Sequence, residues 1–162
     1  MLSIAEVFCL AVFSIGMPRA EFACKNMETV IDTSHKYDIR PELLIGLIWT
    51  ESGWNHEAVS NAGACGLTQV LPKYTKNPKL SCKELKDPTK SITTGGKIFN
   101  FWLDKYSDGH ERTALCGYFA GFRCKGKSKN KWGYNRYAKK VLKRADAVLK
   151  AYNEELRKQK KS

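Results

Sequence analysis

At 162 residues, with 43% hydrophobic residues and four tryptophans, the chain is long enough for one domain with its own core; this excludes a disordered segment or a peptide-sized scaffold dependent on cross-links. No apolar stretch approaches the roughly 20 residues of a membrane span. The net charge of +12 is informative for its position: residues 1–122 hold 13 Lys/Arg and 13 Asp/Glu, whereas residues 123–162 hold 15 Lys/Arg against three Asp/Glu. That last quarter reads either as a solvated helical face or as an attraction for an anionic polymer or surface, and charge alone does not choose between them.

The chain opens on an apolar run, Val7 to Ile15, about as long as the core of a signal peptide and followed by small residues at Gly16, Ala20 and Ala23. Residues 1–23 are therefore expected to be a signal peptide or signal anchor. Two features run against this: no Lys or Arg precedes the run, and Glu6 stands at its edge. An uncleaved anchor or a first helix buried in the fold are the alternatives. Loss of a leader would take Cys9 away and leave Cys24, Cys65, Cys82, Cys116 and Cys124. Cys65 and Cys82 bracket a loop with two prolines, and Cys116 and Cys124 bracket a helix end and a Gly-containing turn. The simplest pairing is 65–82 and 116–124, with Cys24 left over. A zinc site is the rival reading, but no C-x-x-C spacing is present and the three histidines stand apart.

From Cys24 onward helical periodicity dominates. Cys24, Met27, Ile31 and Ser34 mark a first helix. A second begins at Pro41, a favourable first-turn residue, with Glu42 beside it. Its apolar stripe is Leu44, Leu47 and Ile48, widened by Leu43 and Trp49. Residues 57–90, broken by Gly63, Gly66, Pro72, Pro78 and Pro88, suggest short strands or an ordered loop. A third helix carries Ile92, Phe99 and Tyr106, a short one near 111–120 carries Leu115, Tyr118 and Phe119, and a long amphipathic one runs from Asn135 past Leu156. The expected fold is mainly α: one helical domain over 24–156 with a small irregular or β-containing insert, and a basic tail at 157–162.

Glu51 is the residue with chemistry to explain. It follows Leu47 by four positions and Ile48 by three, which places a carboxyl on the buried stripe near the helix end. No Lys or Arg occurs from 43 to 72, so no sequence neighbour can neutralise it. Desolvation without a cation raises a carboxyl pKa and suits the group to proton donation. The plainer alternative is that Glu51 turns outward and ends the helix. Ser60 and Gln69 follow in a glycine-rich segment and could hydrogen-bond sugar hydroxyls or acetamido groups, although each alone reads as ordinary loop polarity. Glycosidases normally use two carboxylates about 5–9.5 Å apart. Here the next acids are Glu57, which looks exposed, and then Glu84. A one-acid mechanism, with the substrate supplying its own nucleophile, therefore carries weight.

The segment LLIGLIWTESGWNHEAVSNAGACGLTQVLP (43–72) resembles the signature of lytic transglycosylases of the soluble, goose-type-lysozyme-like class. Glu51-Ser52, Ala58-Val59-Ser60 and Gly63-Ala64-Cys65-Gly66-Leu67-Thr68-Gln69 stand in that family's order and spacing. DPTKSITTG (87–95), ALCGYFAG (114–121) and GYNRYAKKV (133–141) resemble its later motifs. The resemblance implies a lysozyme-like α+β fold with the insert beside an active-site cleft. It implies Glu51 as the sole acid/base, cleaving the β-1,4 bond between N-acetylmuramic acid and N-acetylglucosamine in peptidoglycan glycan strands to leave 1,6-anhydro-muramyl ends. Ser60 and Gln69 would hold the sugar and its acetamido group, Gly66 would line the cleft, Tyr118 would orient Glu51 or set its pKa, and Tyr137 would be a cleft or support residue; all five are candidate substrate-binding residues.

Two departures stand out: Phe119 replaces the family's asparagine, moving or losing a polar contact, and Thr68 replaces a methionine, changing a subsite wall. Cys65 and Cys116 lie inside motifs and read as disulfide staples. The resemblance implies no cofactor and no metal. A monomer is expected, exported to the periplasm or cell envelope or secreted, and of bacterial or phage origin, with no specific nucleic-acid partner; anionic cell-wall polymers or a membrane surface are candidate partners of the basic quarter. Trp132, Tyr134 and Tyr137 lie among those bases, at a spacing that also suits helix packing. The competing classes are a muramidase using water with Glu57, and a non-catalytic wall-binding protein.

Overall fold

The computed structural model describes residues 1–125 and 132–161, the side chains of Lys125 and of residues 132–135 excepted, so the expectations for Trp132 and Tyr134 lie outside the described residues. Among the described residues, eight α-helices run in chain order: α1 Ile4–Ser14, α2 Ala20–Lys25, α3 Met27–Lys36, α4 Pro41–Ser52, α5 Cys82–Leu85, α6 Pro88–Tyr106, α7 Glu111–Ala120 and α8 Trp132–Lys161. Short 3-10 turns cover Pro72–Tyr74 and Gly121–Lys125. The insert between α4 and α5 is irregular, with isolated bridges joining Val59 to Cys65 and Cys65 to Val70.

Three helix starts are capped by local side chains. Ser3 and Ser81 each form a capping box with a glutamate three residues on, and Asp87 accepts from the Lys90 amide with Pro88 at the first helical position. Glu6, the acid that sat oddly beside an apolar run, is therefore the capping partner of Ser3. The single helix expected around 24–34 breaks at Asn26 into α2 and α3. Helix α8 continues through the basic residues up to Lys161.

The N-terminal segment is part of the core. Ala5, Val7, Phe8, Ala11 and Val12 of α1 are buried, and Phe8 stacks on Tyr152 of α8 with ring centroids 4.2 Å apart. Cys24, expected to be left over, is bonded to Cys9, because α1 folds back beside α2 and brings the two sulfurs together. The 65–82 and 116–124 pairings form as expected. Among the described residues, no helix is long and apolar enough to cross a membrane.

Helix α4 lies at the centre, buried on nearly every side from Glu42 to Ile48. Its start is tied to α7 by Arg40, which donates to both carboxylate oxygens of Glu111 (2.7 and 2.8 Å) and to Glu42. Its middle crosses α8 at Gly46, where a Cβ would stand 2.9 Å from the Ala145 nitrogen and 3.0 Å from the Val141 oxygen. A glycine inside a helix costs about 1 kcal/mol relative to alanine, and here that cost lets two backbones touch. The contact fixes the end of α4 against the start of α8. Gly46→Val is expected to force the helices apart and lower stability by about 1–3 kcal/mol, read as a thermal midpoint several degrees lower.

Candidate active site

Glu51 lies in the last turn of α4, which ends at Gly53 in the left-handed conformation (φ 58°). Two arginines distant in sequence close that end. Arg144 of α8 donates to the Trp49 carbonyl (3.0 Å) and the Thr50 hydroxyl (3.2 Å) while its guanidinium lies 4.7 Å from the Trp49 ring centre. Arg19, just before α2, donates to the Gly53 carbonyl (2.9 Å). Both guanidiniums are spent on the helix end, where cations complement the dipole. Among the described residues, none forms an ion pair with the Glu51 carboxylate.

The carboxyl is instead partly buried and, among the described residues, held by one hydroxyl: Tyr137 of α8 donates to Glu51 Oε1. Burial pushes the Glu51 pKa up to about 7, and the Tyr137 hydrogen bond pulls the other way. The Tyr137 phenol itself is raised well above its usual value by burial and by the Glu51 charge. Tyr137, expected as a cleft or support residue, is the direct partner of the acid. Tyr118 has the indirect role. Its hydroxyl donates to the Thr68 carbonyl (2.7 Å), while burial first and the nearby Glu51 charge second raise its pKa.

The glycine-rich loop is bolted to the end of α4 and to α6. Ser52 donates to the Leu67 carbonyl (2.8 Å). Thr68 is fully buried: its amide donates to Ser91 Oγ (3.2 Å) and its hydroxyl to the Ser91 carbonyl (2.8 Å). The expectation that Thr68 changes a subsite wall is therefore corrected, since its side chain anchors the loop from behind. Gly66 is also buried; its φ is 78° and a Cβ would stand 1.8 Å from the Leu85 oxygen. Its glycine is demanded by the seat of the loop on α5.

Ser60 Oγ accepts from the Ala64 amide (3.0 Å), and Gln69 Nε2 donates to the carbonyls of Ala58 (3.0 Å) and Gly66 (2.9 Å). Both side chains brace the loop. Chemically, the Ser60 hydroxyl hydrogen and Gln69 Oε1 are the groups left to meet a ligand. Glu57 is exposed and paired with Lys86 (2.9 Å) and His56 (3.4 Å). The Lys86 contact holds its carboxyl below the usual range. Sequence reasoning missed Ser91, Arg144 and Arg19, whose partners lie 23, 95 and 34 residues away with no local signal.

A family model described as the transglycosylase SLT domain matches residues 28–145. The chain belongs to the SLT transglycosylase domain family. The matched span contains Glu51, the glycine-rich loop and both tyrosines, Tyr118 and Tyr137. The transglycosylase of Enterobacteria phage PRD1 is 36% identical to this SLT domain over 94 residues, covering 58% of the chain and 34% of that protein. Membrane-bound lytic murein transglycosylase C of Histophilus somni is 37% identical over 83 residues, 46% of the chain and 23% of that protein. The fold is similar to that of the lytic transglycosylase Slt of Pseudomonas aeruginosa, solved as an inactive mutant. The TM-score is 0.72 over 94% of this chain and 31% of that one, at 16% identity. This chain thus spans about a third or less of the length of each of these proteins.

Proposed function

We propose that this SLT domain is a peptidoglycan lytic transglycosylase with Glu51 as its single acid/base. The carrying observation is a partly buried carboxyl with a pKa of about 7, one tyrosine hydrogen bond and no ion-pair partner among the described residues. At neutral pH such a group is populated in both protonation states, as an acid that must later act as a base requires. Protonated Glu51 gives its proton to the glycosidic oxygen between N-acetylmuramic acid and N-acetylglucosamine, and the bond to the anomeric carbon breaks. The resulting carboxylate takes the proton of the muramyl primary hydroxyl as that oxygen attacks the anomeric carbon. The acid is regenerated, no water is consumed, and a 1,6-anhydro end remains. Ser60 and Gln69 meet the sugar as donor and acceptor, and Tyr118 and Gly66 hold the loop that carries them.

The deciding experiment is digestion of purified peptidoglycan with mass spectrometry of the product ends. Anhydro-muramyl ends are expected. Reducing ends would mean attack by water, and no cleavage would leave a wall-binding protein. The pairing of Glu57 with Lys86 argues against a water-activating second carboxylate.

Three disulfides argue for work outside a reducing cytosol, in the envelope or periplasm or beyond it. The basic excess has a defined shape. Arg136, Lys140, Lys143, Lys150, Arg157 and Lys161 are exposed along one line of α8, with two acids, Asp146 and Glu154, on or beside it. Over 25 residues that line is about 38 Å long. It suits an extended anionic polymer or lipid surface. Neutralising Lys143, Lys150 and Arg157 with glutamine is expected to weaken binding to anionic walls at low salt and to have little effect at high salt, in a sedimentation assay. An unchanged salt dependence would assign the line no such role.

A further inference from the structure

Phe119 stands next to Tyr118 in the last turn of α7, and its ring stacks on Tyr137 with centroids 4.6 Å apart and planes 20° from parallel. Tyr137 is the residue whose hydroxyl donates to Glu51. The platform beneath Phe119 is itself held in place. Tyr118 is fixed to the Thr68 carbonyl, α7 ends at Gly121, and the Cys116–Cys124 bond folds the following 3-10 turn back onto the helix. The phenol of Tyr137 has two soft torsions, and α8 by itself restricts only the first. A flat ring laid on its face restricts the second, which leaves the hydroxyl oxygen on the ring axis but sets the plane in which the O–H bond lies, and so its aim at Glu51.

We infer that Phe119 is a positioning residue that acts through Tyr137: by stacking on its ring, Phe119 keeps the hydroxyl on Glu51 and covers that hydrogen bond. The ring is half exposed, with 51% of its surface open, and its near-parallel stacking on Tyr137 is a contact for which an aromatic is suited. The inference rests on the reading of Glu51 as the acid.

The test uses the full chain with F119L, F119Y, Y137F and the double variant F119L/Y137F, assayed for kcat and KM on peptidoglycan. Leucine keeps the apolar bulk and removes the flat ring. F119L is expected to lower kcat about two- to tenfold, the range of an aromatic pair, with KM nearly unchanged. F119Y restores kcat. In the Y137F background, F119L adds little, because the hydroxyl it positioned is already gone. Multiplying effects in the double variant, a wild-type kcat for F119L, or a rise in KM alone would each overturn the inference. A second readout is independent of activity: titration of the Glu51 carboxyl by NMR. F119L should move it upward, in the same direction as Y137F, through loss of the hydrogen bond; no movement or a downward one refutes the coupling. A wild-type chain that cleaves nothing would refute the proposed function alone, leaving this titration to decide the inference. F119M is the second non-aromatic variant should F119L fold poorly.

Discussion

Glu51→Gln is expected to abolish glycan cleavage and, at alkaline pH, to make the protein more stable. Loss of a general acid costs about 10²–10⁴ in rate, and here the same group must also serve as the base, so the upper end is expected. The stability effect follows from linkage. The folded pKa of about 7 stands above the ordinary 4.5 because burial disfavours the charged form. Below pH 4.5 the carboxyl is protonated in both states and contributes no difference. Between about pH 4.5 and 7 the unfolded chain releases the proton first, so stability falls as pH rises. Above about pH 7 the full cost, on the order of 3 kcal/mol, is present. Glutamine has nearly the same shape and no charge to desolvate. Its thermal midpoint should exceed wild type by several degrees at pH 8, with the gap closing toward pH 4. Retained cleavage would remove Glu51 from the mechanism. A gap that does not change with pH would show that the carboxyl is not desolvated.

The position of that carboxyl was legible because two local signals agree. The apolar stripe of α4 has helical period and places Glu51 three and four residues beyond buried positions. The absence of any cation from 43 to 72 then leaves desolvation unopposed. The two short-loop disulfides were legible for a related reason, since each closes a loop of 17 or 8 residues whose ends the chain keeps close. Sequence order and spacing of the motifs supplied the family, and the fold follows it.

What the sequence hid is of another kind. An apolar run such as Val7 to Ile15 reads alike whether it meets lipid, a signal-recognition pocket or a protein core. In the folded chain it packs on α8, where Phe8 stacks on Tyr152, 144 positions away. Thr68 and Gly66 look like cleft residues because they sit in the signature, yet a motif position can be constrained from its buried side. Thr68 answers to Ser91 and Gly66 to Leu85. Two tyrosines in two motifs could each have faced the acid. The choice between them is made by the crossing of α4 and α8 at Gly46, a contact between backbones that no side-chain pattern announces.

That choice is testable. Tyr137→Phe removes the hydroxyl that donates to Glu51 and is expected to lower kcat about 10- to 100-fold, the size of a hydrogen bond to a charged group, with KM little changed. Its second signature is in the pH profile. The basic limb of kcat/KM reports loss of the Glu51 proton and should sit near pH 7 in the wild type. The Tyr137 bond favours the carboxylate, so its removal raises the pKa and moves that limb to higher pH. Tyr118→Phe separates the two tyrosines. It leaves the buried Thr68 carbonyl without this donor and should cost about 1–3 kcal/mol of stability while leaving the limb near its wild-type position. If the limb moves with Tyr118→Phe and stays with Tyr137→Phe, the acid is held by the other tyrosine. The α4–α8 crossing would then not be what sets its chemistry.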